Sequence, residues 1–454
     1  MDGNSSIRQG WTPEPNGRGT ISIVWNCVTT LVLCSWSILC LNIPAVDDGQ
    51  WRILRRKLYL TAVGIIAPEL ILMLAMGQYF SAKQTTSSFH DSGYKDWTLR
   101  HSYYADMGGF ILHTRDWTPF PIDAKQLLYL ITEGYVSFPR ISTKTIDDKD
   151  KVDGLVRAIT VLQTFWFVVN CIGRASQQLA LTALELTTLG FIVCSAGTVI
   201  CWAQKPSDVR QAEVLVANVT MAEIVLKASA QETHLYSRTP LDFATDRPWP
   251  WMAVWLNAVN LLRKMGIAFT PRRRPIRRLP NDNFPKISNS GHFALLCCAT
   301  AYAATSICGW NFEFPTETER VLWRIASLII LGAMLSCFVL EGCVYHCLPW
   351  IRRHLHTSRR LFKNRGMIEN GRPYHLPSRY RSRLERLADS MRNNSLNKDP
   401  LQYIPLKVLL PVYFVFILYS FARGYMFVED IIELRYLPAS AFKTVHWSLY
   451  IPHI

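Results

Sequence analysis

Long apolar runs alternate with long polar stretches along the chain. Seven runs stand out, at about 20–43, 58–80, 154–173, 179–203, 292–310, 321–348 and 403–422. Each is close to the ~20 residues that cross a hydrocarbon core of about 30 Å. The pattern predicts an all-α fold: a polytopic integral membrane helix bundle of about seven transmembrane helices with long basic cytoplasmic loops. Pro68-Glu69 sits mid-run in the second segment and predicts a kink, whose freed carbonyls need partners.

The runs divide the chain into consecutive segments. Residues 1–19 are a flexible N-terminus, 20–80 a first membrane hairpin, and 81–153 a cytoplasmic amphipathic segment. Residues 154–203 form a central hairpin, followed at 204–291 by a basic loop carrying an interfacial helix in RPWPWMAVWLNAVNLL. A third hairpin at 292–348, a basic loop at 349–402 and a last span with its tail at 403–454 complete the chain.

The central hairpin, with only RASQQ between its runs, organises the rest. Gln163, Phe167, Asn170 and Arg174 follow helical steps and share one face; Gln178, Thr182 and Glu185 do the same on the second run. In an antiparallel pair Asn170 and Glu185 lie level, about 10–12 Å below the turn at 1.5 Å per residue. A carboxyl at that depth is costly when charged, so it is paired, solvated or neutral.

Composition sharpens this picture. Of 454 residues 49% are hydrophobic, and 49 Lys and Arg face 34 acids, a net charge of +15. In a membrane chain this balance points to cytoplasmic loops against anionic lipid rather than to nucleic acid. PRRRPIRRLP, with five arginines in seven positions, and thirteen Lys and Arg at 350–400 fit that reading. The positive-inside rule then places the N-terminus and the three long loops in the cytoplasm, and the C-terminal tail in the lumen. The sequons at Asn4, Asn218 and Asn393 would all be cytoplasmic and unglycosylated. Most of the twelve cysteines lie inside apolar runs, as small reduced hydrophobes.

Familiar catalytic signatures are missing: GxSxG, HExxH, a P-loop, GxGxxG, DDxxD and DxDD. DDKDKVD at 147–153 has the composition of a magnesium site with the wrong spacing and reads as a solvated loop. Cys343, His346 and Cys347 share a helical face but lack a fourth ligand, so no metal and no cofactor are assigned. What remains is carboxyl chemistry. Glu185 is the candidate proton donor, with Asn170 as its hydrogen-bond partner; Trp166 and Phe167, with Gln163, line the substrate side, where aromatic faces stabilise a cation. Glu69 and Glu341 are rival acids, and Asp106 in YYADMGGF and Asp208 in KPSDV are carboxylates at the membrane edge. The competing reading makes Glu185 structural, salt-bridged to Arg174 across the hairpin.

Several stretches resemble a large family of fungal multi-span membrane proteins: GRGTISIVWNC, YYADMGGF, ALELTTLGF, WAQKPSDV and the tail from Tyr425 through VHWSLYIPHI. Some relatives of that family look like membrane-bound cyclases of meroterpenoid pathways, of the macrophorin type. The resemblance implies closure of a farnesyl chain into a drimane-like bicycle by direct alkene protonation, and such cyclases also lack aspartate-rich signatures. The expectation is therefore a membrane-bound terpene cyclase acting on a lipophilic prenylated intermediate, in the endoplasmic reticulum by default, with the bilayer as its only other partner. A transporter or sensor for a small lipophilic metabolite is the alternative, although no matched pair of broken helices is visible in the sequence. A scaffold anchoring other enzymes is a third.

Overall fold

In the computed structural model, residues 8–14, 17–149, 154–229, 238–245, 250–266, 275–343, 383–394 and 404–447 are described. They fall into two units, one from Met1–Trp249, Pro271–Leu328 and Ala422–Ile454, the other from Pro250–Thr270 and Ile329–Phe421. His346, Cys347 and most of the basic segment 349–402 lie outside the described residues.

The larger unit is built around helix α8 (Ala183–Cys201), which packs against α1 (Thr20–Ile38), α3 (Pro68–Asp91) and α11 (Asn289–Cys308). Its first turn is fixed by Thr182-x-x-Glu185, a reciprocal capping box in which each side chain meets the other residue's backbone N–H. Gly190 makes the α8–α11 approach possible, since a Cβ there would fall 2.4 Å from Thr305 Oγ1. Helix α7 (Gly154–Ser176) packs mainly on α1 and touches α8 only lightly. The expected α7–α8 hairpin is therefore two helices flanking α1. Along α7, Leu155, Ile159, Leu162, Phe165 and Trp166 are exposed, an apolar outer face suited to lipid.

Six stretches are long and apolar enough to cross a membrane: Thr20–Ile38, Ala158–Ser176, Ala183–Cys201, Asn289–Asn311, Glu317–Gly342 and Leu406–Arg435. The last two contain α12 (Glu317–Gly342) and the terminal long helix, designated α14 (Leu406–Ile432). The expected second span is instead a bent pair. Helix α2 (Gln50–Ile66) and α3 turn by 114° at Ala67-Pro68. The chain enters and leaves this bend from one end of the bundle: Lys57 lies 3.9 Å from Asp208, and Gln78 accepts from Trp202 Nε1 at 3.0 Å. The pair thus enters and leaves at one end of the bundle, and the expected seven runs appear as six span-length helices plus one bent pair.

The two ends of the larger unit are chemically different. At one end, β1 (Arg8–Gln9) pairs antiparallel with β5 (Leu437–Pro438), and Arg18 N donates to Phe442 O at 3.0 Å. Arg174 reaches the same end and donates to the carbonyls of Ala180 (2.7 Å), Ala441 (2.9 Å) and Lys443 (2.8 Å). At the other end of α1, Ile43 N donates to Met107 O at 3.0 Å, and Asn42 N to Asn281 Oδ1 at 2.7 Å. The N-terminus therefore lies with the C-terminal tail, at the opposite end of α1 from residues 81–149 and 202–229. This overturns the expected grouping of the N-terminus with the basic loops.

Segment 81–153, expected as an amphipathic loop, is largely folded. Helices α4 (Leu99–Asp106), α5 (Ala124–Thr132) and α6 (Thr143–Lys149) surround a sheet of order β3-β2-β4, from β2 (Phe110–His113), β3 (Phe120–Ile122) and β4 (Glu213–Val216). Strands β2 and β3 are antiparallel, whereas β4 joins β2 in parallel from the far side of α7 and α8. The fold is thus mostly helical rather than all-α. The paired glycines of YYADMGGF explain the turn into β2: Gly108 has φ +86°, and a Cβ on Gly109 would lie 2.4 Å from the Tyr104 ring. Phe89 stacks on Trp97 (centroids 4.1 Å apart) at the centre of the core. Helix α9 (Met221–Ser229) follows β4, its first two amides capped by Asp116.

In the smaller unit, the aromatic run forms a helix, α10 (Pro250–Lys264), and α13 (Arg383–Arg392) precedes α14. A buried amide node joins them. Asn394 Nδ2 donates to Asn257 O at 2.7 Å, and Tyr413 OH to Asn257 Oδ1 at 2.5 Å.

Candidate functional site

Glu185 is buried, at the third position of α8, as an acid held from water should be. Its partners are those of a charged carboxylate. One oxygen forms an ion pair with Arg18 Nη2, and the other accepts from Thr182 N (3.0 Å) and Thr182 Oγ1 (3.1 Å). The expected cation, Arg174, is spent on backbone carbonyls instead. Asn170 is not among the partners of Glu185, because α7 faces α1 at that level. Gln163 Nε2 donates to Thr30 Oγ1 at 3.3 Å, and Phe167 is buried with Cys27, Cys171, Leu184 and Ile192. Trp166 is half exposed on the outer face, its ring 5.2 Å from that of Trp447. The residues expected to line a substrate cavity around Glu185 therefore form its packing against α1 and the tail.

The open space lies elsewhere, at the break between α2 and α3. A small cleft of about 20 Å³ is lined there by Cys34, Ser35, Pro68, Phe191, Ser195 and Thr198, among others. Small-molecule sites usually span roughly 300–1,000 Å³, so the cleft is far below that range and takes a substrate only if the break opens. Glu69 is the next residue after Pro68 and is buried in the first turn of α3. Helix α3 runs parallel to α8: Leu72 lies against Gly197, and Gln78 meets Trp202. Ten residues separate Pro68 from Gln78, which puts the break about 15 Å inside that end of the bundle.

A second polar layer crosses the bundle from α14. Arg423 Nε donates to Ile66 O at 3.3 Å, and its guanidinium lies 4.5 Å from the Phe427 ring and 5.5 Å from that of Tyr302. Asp430 Oδ1 accepts from Thr187 Oγ1 at 3.1 Å, and Glu433 Oε2 from Ala183 N at 2.7 Å, capping α8. Asp430 Oδ2 and Glu429 Oε1 are buried and have no hydrogen-bond partner among the described residues. Sequence reasoning missed this layer because it ended the last span at residue 422. The signal was present: Arg423, Asp430 and Glu433 are seven and three residues apart, one face of a continued helix.

Asp106 lies in a different place. YYADMGGF and WAQKPSDV meet at the end of α8, where Tyr103 OH donates to Cys201 O at 2.6 Å and Tyr104 OH to Gln211 O at 3.1 Å. Asp106 accepts from Ala124 N at 3.1 Å; burial, with the like charge of Asp123, pushes its carboxyl up to about 7. Lys205 is buried, donates to Gln78 Oε1 (2.8 Å) and Cys40 O (3.0 Å), and is pulled down to about 8 by burial. This node joins the sheet-bearing part to the helices. Asp208 is there too, with φ +50°. Glu341, near the end of α12, is only partly buried.

The larger part of the chain is thus a mostly helical bundle with six apolar helices long enough to cross a membrane and one bent pair. The chain belongs to a family of unknown function, DUF8562, which matches residues 2–229. No curated protein and no solved structure matches it.

Proposed function

We propose that this protein is a membrane-bound cyclase, in the endoplasmic reticulum membrane, that closes the farnesyl-type chain of a lipophilic prenylated intermediate. The observation that carries the reading is Glu69, a buried carboxyl at a break in the backbone, next in the chain to the wall of a mostly apolar cleft. An acid that holds its proton in such a setting has one to give. Glu69 transfers its proton to the terminal alkene, the cation propagates through the neighbouring double bonds, and loss of a proton from the cyclised cation returns the acid. The reaction is an isomerisation, with no oxidant and no leaving group. Phe191, in the cleft wall, replaces Trp166 and Phe167 as the aromatic face nearest the cation. Glu185 has no donor role here, because its oxygens are taken by Arg18 and Thr182.

The test is product profiling in a host supplied with a prenylated precursor, with and without the protein. A new cyclised product supports the enzyme, and its persistence at wild-type yield with Glu69→Gln removes Glu69 from the chemistry. A second reading, a transporter for a lipophilic metabolite, is favoured by the broken helix pair and the charged layer behind it. Movement of unchanged compound across vesicles, with no new product, would select it.

A further inference from the structure

Helix α2 does not run along the bundle. Since α3 runs in the same sense as α8 and the α2–α3 bend is 114°, α2 runs across its neighbours instead of along them. Its 17 residues, about 25 Å long at 1.5 Å each, lead from the Asp208 end of the bundle to the break. One stripe of this helix is unpartnered: Trp51, Leu54, Leu58, Ala62 and Ile66, at helical steps of three and four, are all exposed. Trp51 alone is 70% exposed. Beside the stripe, near the start of the helix, Arg52 and Arg55 are exposed as well.

We propose that the first turns of α2 lie in the headgroup region of the bilayer, where their basic side chains take the anionic headgroups of the leaflet at that end of the bundle, while its last turn dips to the break. The stripe matches the apolar face of an interfacial helix, and the charge matches the occupant. Around its first turns stand Arg52, Arg55, Arg56, Lys57, Arg277 and Arg278, against Asp47, Asp48 and Asp208. Asp48 binds Arg56 (2.8 Å) and Arg278 (3.0 Å), and Arg277 pairs with Asp47. That leaves Arg55, with Arg52 only 3.5 Å from Asp48 at its nearest, facing outward. The inference rests on α8 crossing a bilayer, and it is separable from the proposed chemistry.

The experiment uses the full chain reconstituted in vesicles of phosphatidylcholine with and without phosphatidylserine, then extracted in mild detergent for mass spectrometry of bound lipid. The wild-type chain retains phosphatidylserine in preference, and Arg52→Gln with Arg55→Gln loses about fivefold of that preference per arginine. Arg140→Gln, an exposed arginine outside α2, leaves it unchanged. Equal retention of both lipids by the wild-type chain overturns the proposal, as does a preference that survives the double substitution or falls equally with Arg140→Gln. Resistance of the protein to alkaline carbonate extraction reads the membrane assignment separately; a chain that washes off fails there, before the lipid question is reached.

Discussion

Arg423 Nε donates to Ile66 O at 3.3 Å, so the last carbonyl of α2 is capped by a guanidinium from α14, 357 residues later in the chain. Pro68 has no N–H, and the four carbonyls that end α2 have no helical donors beyond the bend except Ala67 N, which reaches Val63 O at 2.8 Å. The same arginine is the nearest cation to Asp430 on its own helix. Arg423→Gln therefore removes both a cap and a buried countercharge. Removing a charged donor from a buried acceptor typically costs about 1–3 kcal/mol. The expected result is a clearly lowered melting temperature in detergent, with Arg423→Lys intermediate because a single ammonium replaces a planar fork. Unchanged melting of Arg423→Gln would mean the break is held by other contacts.

Glu185 and Glu69 should separate stability from turnover. Glu185→Gln keeps the capping geometry but leaves Arg18 without its ion pair, at a cost of roughly 1–3 kcal/mol. Its melting temperature falls while product per folded molecule stays near wild type. Glu69→Gln should differ by losing cyclised product per folded molecule, whatever its melting temperature. Parallel melts and product yields on the two variants check this. Product loss confined to Glu185→Gln would return the donor role to that residue.

The helices were legible in the sequence because apolar runs of span length are hard to mistake. α1, α7, α8, α11, α12 and α14 all fall on predicted runs. Pro68 announced the kink, whereas Thr182-x-x-Glu185, read as one face inside a span, is the cap that starts α8. Contacts between distant segments were not legible. Nothing local says that Arg18 rather than Arg174 meets Glu185; that depends on β1 folding back against β5. The parallel β2–β4 pair was hidden for the same reason, since its strands are separated by two span-length helices and each is only four residues long. The charged face of α14 was lost for a different reason: its acids lower the hydropathy that defines a span.

The node between YYADMGGF and WAQKPSDV predicts a particular pH dependence. Asp106 has its folded value near 7, above the usual 3.8, so the folded chain binds the extra proton between those limits. Its contribution is fully present below about pH 4 and is lost as pH rises to 7. Lys205 has its folded value near 8, below the usual 10.5, so stability rises again between pH 8 and 10.5. The melting temperature should therefore pass through a minimum near pH 7–8. The Asp106 limb amounts to about 2 kcal/mol once its partial exposure is allowed for. Asp106→Asn keeps an oxygen for Ala124 N and should flatten the acid limb while leaving the alkaline one. A melting curve of the variant with an unchanged acid limb would assign that limb to another group.

The pairing of β1 with β5 makes a prediction about crossing number. Both chain ends of the larger unit meet at the end of α1 that carries Arg18, whereas Asn218 lies beyond the opposite end of α8, exposed after β4. An even number of crossings follows, in place of the odd number that seven runs imply. The basic start of α2 and Arg277–Arg278 lie at the Asn218 end, so the positive-inside rule puts that end in the cytoplasm and both termini in the lumen. Glycosylation-acceptor tags added before Met1 and after Ile454 should both be modified, while Asn218 stays bare. Asn393 is a poor reporter, because at 7% exposure its side chain has no room for a glycan in the folded chain. Modification of only one tag would restore an odd count and make the α2–α3 pair a broken span that crosses.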